Sequence, residues 1–121
     1  MSDPLTVTVR SERGVVIAAV TGEIDISTVA PLRERLFELA DSGTTLVVDL
    51  DGITFIDSAG LGALVGTARR AAEHGGSLHA VCAQERTRKL LWMTGVDRRI
   101  PLAATVDGAL TSQAASRDGL A

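Results

Sequence analysis

Apolar and polar residues alternate over Leu5-Thr6-Val7-Thr8-Val9, the period of a half-buried strand. Ser11-Glu12-Arg13-Gly14 carries turn residues, and Val15-Val16-Ile17-Ala18-Ala19-Val20 follows as a more buried strand, so the pair predicts a hairpin. Gly22-Glu23-Ile24-Asp25-Ile26 reads as a short loop. The spacing then changes. Val29, Leu32, Leu36, Leu39 and Ala40 recur at helical intervals, Ser27 or Thr28 is placed to cap them, and Pro31 falls in the first turn, where no N–H is needed. Asp41-Ser42-Gly43 stops that run.

Thr44 to Leu50 predicts a central strand, because Leu46-Val47-Val48 is apolar on both faces. After Asp57-Ser58 a second helix shows Leu61, Leu64, Val65, Ala68 and Ala72 on one side, with Arg69, Arg70 and Glu73 on the other. Gly75-Gly76 ends it. Leu78 to Cys82 is a strand, Glu85 to Thr94 a short helix with Leu90 and Leu91 inward, and Ile100-Pro101-Leu102 a last short strand. Val106 to Ala114 forms a final helix capped by Asp107. This order predicts one α/β domain over residues 1–121, with a core of about 4–112 and a flexible tail at 115–121. Its sheet is mostly parallel, with an antiparallel N-terminal edge, and about four helices flank it.

Composition narrows the function more than the fold. A net charge of −3 over 121 residues, with eleven scattered arginines and one lysine, Lys89, supplies no basic field for nucleic acid. Cys82, the single cysteine, lies in an apolar run and reads as a small buried hydrophobe. Neither a signal segment nor an apolar run of membrane-spanning length is present, so a cytoplasmic protein without membrane insertion is expected.

The stretch Phe55-Ile56-Asp57-Ser58-Ala59-Gly60-Leu61-Gly62 sets a serine where a strand hands over to a helix, beside free backbone N–H groups. A nucleotide loop fails on spacing: the dinucleotide fingerprint needs its third small residue at Val65, and no Gly-Lys-Ser/Thr follows. Gly62 and Gly66 instead suggest a helix face closely approached by other backbone. Catalysis by Ser58 lacks a base. His79 is inside a strand, and His74 is at the far end of the same helix, ~24 Å away. No Gly-x-Ser-x-Gly elbow surrounds the serine either. Asp and Ser are also ordinary helix caps, so the residues alone leave two readings, an inert cap and a switch.

Val48-Asp49-Leu50-Asp51-Gly52-Ile53 resembles the Asp-x-Asp-Gly-Thr motif of haloacid-dehalogenase-type phosphotransferases, whose two aspartates act as nucleophile and acid/base around magnesium. Ile53 stands where that family has Thr, and no later acidic pair joins Lys89. The plainer reading is a strand ending in a polar turn.

Three motifs in order carry a broader resemblance, over most of residues 4–112. They are Gly22-Glu23-Ile24-Asp25, Phe55-Ile56-Asp57-Ser58-Ala59-Gly60-Leu61-Gly62, and Met93-Thr94-Gly95-Val96. Together they are similar to the Gly-Glu-Leu/Ile-Asp loop, the phosphoserine loop and the Met-Ser/Thr-Gly-Leu helix end of anti-sigma factor antagonists of the STAS family.

That resemblance implies a non-enzymatic, phosphorylation-controlled partner switch with no cofactor, metal or catalytic residue. Its partners would be an anti-sigma factor serine kinase, ATP-binding and histidine-kinase-like, and a metal-dependent serine phosphatase that resets it. Ser58 would be the phosphorylated serine, and Ala59, where many members carry a second Ser or Thr, removes an alternative acceptor. Asp25, Asp57, Ser58, Ala59, Gly60 and Leu61 would form the partner-binding loop, with Asp25 near the phosphorylation site. Trp92, where relatives often carry a polar residue, either covers the C-terminal helix or anchors a partner. A STAS accessory subunit that is not phosphorylated, serving a transporter or signalling complex, is the alternative within the fold. Self-association stays open.

Overall fold

The computed structural model describes residues 4–112. Strand β1 (Thr6–Glu12) turns at Arg13-Gly14 into β2 (Val15–Ile24), and helix α1 (Val29–Asp41) leads to β3 (Thr45–Ile56). Then come α2 (Ser58–Glu73), β4 (Ser77–Val81), α3 (Glu85–Met93), a 3₁₀ turn at Val96–Arg98 and β5 (Leu102–Ala103). A helix over residues 106–112, α4, closes the described chain. The strands lie in sequence order, β1-β2-β3-β4-β5, antiparallel between the first two and parallel thereafter. The mixed sheet with an antiparallel N-terminal edge is therefore as expected.

Alternate residues of the central strands feed two cores, as a pleated sheet covered on both faces requires. Leu46, Val48 and Leu50 of β3 pack with Leu32 and Leu36 of α1, Leu61 and Leu64 of α2 and Leu91 of α3. Val47, between them, points the other way and joins Ile17, Val81 and α4's Ala109 and Leu110. Cys82 is fully buried, and that burial pushes its thiol above the usual range, the state of an inert core cysteine.

Several boundaries differ from the pattern-based expectation, each for a physical reason. Ser11 and Glu12 belong to β1, because the hairpin turn needs only the two residues between Glu12 and its partner Val15. The supposed loop Gly22-Glu23-Ile24 is the end of β2, and Asp51 to Ile56, read as a polar turn and beyond, continues β3. Parallel pairing carries both on: Gly22 faces Ile53, Glu23 faces Phe55 and Ile24 faces Ile56. Two register shifts accommodate the extra residues of β3 near Asp51 and Thr54, the signature of β-bulges. Patterning misses this segment because bulges break the two-residue alternation.

On α2 the buried face holds Thr67 and Ala71 and leaves Ala72 exposed; Thr67 satisfies its hydroxyl on the Ala63 carbonyl at 2.7 Å. On α3, Thr87 and Leu91 are buried and Leu90 only partly so. The cap of α4 is Thr105, whose Oγ1 accepts from the Gly108 amide at 2.9 Å, while Asp107 sits inside the helix. The last two residues expected of that helix, and the tail at 115–121, lie outside the described residues.

Candidate functional site

Parallel pairing of β2 and β3 ends with Ile24 beside Ile56. The Asp25 loop and the Ser58 loop therefore leave the same edge of the sheet side by side. The Asp57 amide donates to the Ile24 carbonyl at 3.2 Å and locks the two together. Side chains then organise each loop.

Asp25 shapes its own loop. Its Oδ1 accepts from the Ser27 amide at 2.9 Å, the Ser27 hydroxyl at 2.6 Å and the Thr28 amide at 3.1 Å. Thr28 occupies the N-cap position of α1 but makes no side-chain cap bond; its hydroxyl donates back to the Glu23 carbonyl at 2.8 Å. The capping expected of Ser27 or Thr28 is thus done by Asp25, one turn earlier. The Ser27 hydroxyl bond, with smaller contributions from the Ser27 and Thr28 amides, lowers the Asp25 carboxyl below its ordinary value. Glycine at position 22 has a mechanical reason as well. Its φ is +102°, and a side chain there would collide with the Pro4 carbonyl.

Asp57 caps α2: its Oδ1 accepts from the Ala59 amide at 2.9 Å and the Gly60 amide at 3.2 Å. Ser58 is consequently the first helical residue rather than the cap. It is exposed, and its hydroxyl makes no hydrogen bond among the described residues. Both of those N-terminal amides are already held by the Asp57 carboxylate, so they are not free for a phosphate as the sequence suggested. Gly60 is required by packing: a Cβ there would stand 2.6 Å from Ile56 Cγ1 and 2.7 Å from Ile24 Cγ2. Gly60 and Leu61 are buried against the core, so they shape the loop without reaching outward; Asp57 and Ala59 are half-buried.

The structure brings Asp25, Asp57, Ser58 and Ala59 to one edge and leaves Trp92 elsewhere. Trp92 lies on the flank of α3 that borders Asp97 and Leu102, over a shallow cleft of about 490 Å³. At 66 % exposure it does not serve as a cover for the C-terminal helix. Sequence reading also missed two exposed apolar side chains beside the loops, Ile26 at 79 % and Phe55 at 49 %. Phe55 borders a second cleft of about 270 Å³ with Arg86, Thr87 and Leu90. An apolar residue directly after Asp25 and another two residues before Asp57 are the signal that was available for them.

The glycines on α2 divide. A Cβ at Gly66 would lie 3.2 Å from the Phe37 ring, so this position lets α1 approach, whereas Gly62 faces open space. Asp49 and Asp51 stand within β3 rather than at a strand end. Asp49 Oδ1 accepts from the Asp51 amide, and Asp51 Oδ1 from the Ala83 amide at 2.7 Å. Bonded in this way they hold the bulge and the β4–α3 connection, which does not fit a nucleophile and its acid/base partner. Among the described residues no cluster of His, Cys, Asp and Glu could hold a metal ion, and no helix is long and apolar enough to cross a membrane.

Comparisons with known proteins agree on one family. Residues 6–109 match the family model described as the STAS domain. The anti-sigma-F factor antagonist RsfB of Mycobacterium tuberculosis is 36% identical over 110 residues, covering 90% of this chain and 89% of that protein. The anti-sigma-B factor antagonist of Bacillus subtilis is 34% identical over 104 residues, covering 86% and 95%. A crystal structure of an anti-sigma factor antagonist from Mycobacterium paratuberculosis superposes with a TM-score of 0.83 at 32% identity, covering 93% of this chain and 97% of that one.

Proposed function

This chain belongs to the STAS domain family, and from that premise we propose that it is an anti-sigma factor antagonist switched by phosphorylation of Ser58. The unmodified chain binds an anti-sigma factor serine kinase with an ATP-binding, histidine-kinase-like fold and frees the sigma factor that kinase holds. Phosphorylation of Ser58 ends the binding, and a metal-dependent serine phosphatase restores it. The names of the relatives at 34–36% identity support the first step. The observation that carries the switch is the division of labour in the loop: Asp57 does the capping, so the Ser58 hydroxyl stands exposed and uncommitted.

The physics of such a switch follows from that geometry. A phosphate adds about −1.5 to −2 charges at neutral pH. Asp57 precedes it directly, and Asp25 leaves the adjoining strand end. Two unit charges ~6 Å apart in an effective dielectric near 20 repel by roughly 3 kcal/mol, before salt screens them. Because the Ala59 and Gly60 amides are taken, the helix end does not absorb the new charge without giving up its cap. The charge is therefore presented outward, where a partner surface built for a neutral serine loses affinity; 1.4 kcal/mol is about tenfold. The fold has no reason to fail, since the Ser58 hydroxyl contributes no hydrogen bond among the described residues.

Ile26 and Phe55 supply the apolar part of the docking face, and Asp25 holds its loop in place. Trp92 is a separate apolar contact on the far flank of α3. Incubation with the serine kinase and ATP, followed by intact mass and peptide mapping, tests the reading. One phosphate on Ser58 is the expected result. None on any pairing contradicts it and favours an accessory STAS subunit that is not phosphorylated.

A further inference from the structure

The exposed face of α2 does not end at the serine. Ser58, Gly62, Val65 and Arg69 follow at intervals of four, three and four residues, which stacks them on one side of the helix. Ser58, Gly62 and Arg69 are exposed, and Val65 is half-buried at the edge of the core, so most of this stripe faces outward. At its lower end Arg69 meets Arg99, which follows the 3₁₀ turn after α3. The two arginines line a cleft of about 300 Å³ with Val65 and Ala68.

Neither guanidinium has a carboxylate partner within the described residues, although Arg10, Arg13, Arg35 and Arg70 all pair with acidic side chains. Glu73, one turn beyond Arg69, forms no ion pair with it either. The concentration of positive charge is regional. Residues 85–99 hold five cationic side chains against two acidic ones, in a chain whose net charge is −3.

From these observations we propose that the Arg69–Arg99 cleft is a second docking point, which receives an acidic side chain, Asp or Glu, of the same protein partner that engages Ser58. Guanidinium groups form planar, bidentate bonds with carboxylates, and Val65 and Ala68 give the cleft an apolar wall that partly excludes water. Eleven residues of helix separate Arg69 from Ser58, about 16 Å. One partner of ordinary interface size spans that distance. The separation also exceeds a Debye length at physiological salt, so a phosphate on Ser58 leaves this contact largely untouched. The cleft accordingly sets affinity and approach, while the serine loop sets the state that is recognised.

This inference rests on the proposed partner but is separable from it. The test compares the intact chain with Arg69→Glu/Arg99→Glu and with the milder Arg69→Gln/Arg99→Gln. Arg33→Glu/Arg35→Glu on α1 serves as a control of equal charge. Affinity for the serine kinase is measured by calorimetry at low and physiological salt, Ser58 phosphorylation is followed in parallel, and thermal melts check folding. The expected result is at least a tenfold loss of affinity for the double reversal, a smaller loss for the glutamine pair and a shallower salt dependence for both. KM for phosphorylation should rise with kcat unchanged, and the control should stay within about twofold of wild type. Cleft variants that bind like the control overturn the docking point and leave the Ser58 switch standing if phosphorylation is normal. Loss of binding in the cleft variants, in a chain never phosphorylated on Ser58, keeps the docking point and removes the switch.

Discussion

The backbone amide of Asp57 donates to the carbonyl of Ile24 at 3.2 Å, so the residue before Ser58 is bonded to the residue before Asp25. Two loops distant in sequence are thereby joined in space, and a change in either is expected to reach the other. The proposed docking edge is built on that bond and on the carboxylates of Asp25 and Asp57, which organise the two loops.

Asp25→Ala removes the acceptor of the Ser27 and Thr28 amides and frees the entrance to α1. Kinase affinity should fall about tenfold, and hydrogen exchange should quicken at Ser27, Thr28 and Asp57. Asp25→Asn, which keeps one acceptor oxygen, should restore much of both. Unchanged exchange at Asp57 in the alanine variant would show the loops to be independent.

Gly60→Ala forces a methyl group against Ile24 and Ile56. Overpacking of this kind costs about 1–3 kcal/mol, and the melting temperature should drop by several degrees. Gly62→Ala, in open space on the same helix, should instead stabilise by about 1 kcal/mol through helix propensity. That pair of melts checks whether α2 is seated as described.

Acid sensitivity follows from two carboxylates. The Ser27 hydroxyl bond holds Asp25 below its ordinary value of 3.8, and the Arg70 guanidinium, bonded at 2.9 and 2.6 Å, does the same for Asp41. Both are harder to protonate in the folded chain than in the unfolded one. Their contribution is therefore complete above 3.8 and is lost as pH falls through the depressed folded values. The share of the two carboxylates should be lost below about pH 4, and Asp41→Asn should make that decline shallower. Burial also holds the His79 imidazole below its ordinary 6.5, so a separate, earlier loss of stability should begin as pH falls below that value. An equally steep acid transition in that variant contradicts the assignment.

How much of this was readable in the chain varies by element. The hairpin, α1, α2 and the central strand were legible because apolar residues such as Leu32, Leu36, Leu61 and Leu64 keep strict helical spacing in the core. The ends of β2 and β3 were not, because the bulges near Asp51 and Thr54 break the alternation and polar residues there look like turns. Ser58 and Asp57 were found as a pair, but their order of duties was not, since either residue type caps a helix. Only coordinates show that Asp57 takes the amides and leaves the serine idle. The exposure of Ile26 and Phe55 was not legible from residue type, because an apolar residue is assumed buried; only their places beside Asp25 and Asp57 hinted at it.

Trp92 lines its cleft with Arg88, Lys89 and Leu102, and 66 % of its surface is exposed. Trp92→Ala should lower kinase affinity severalfold while leaving the melting temperature within a degree or two. A large stability loss would mean that the indole packs on the fold instead.

In the proposed switch, one phosphate on Ser58 decides binding without unfolding the domain. Calorimetric titration of the serine kinase with the unmodified chain and with the chain stoichiometrically phosphorylated at Ser58 measures it directly, with thermal melts of both forms alongside. The phosphorylated chain should bind with at least a tenfold weaker Kd, and the two melting temperatures should lie within a few degrees of each other. Equal affinities, or a phosphorylated chain that no longer folds, would contradict it.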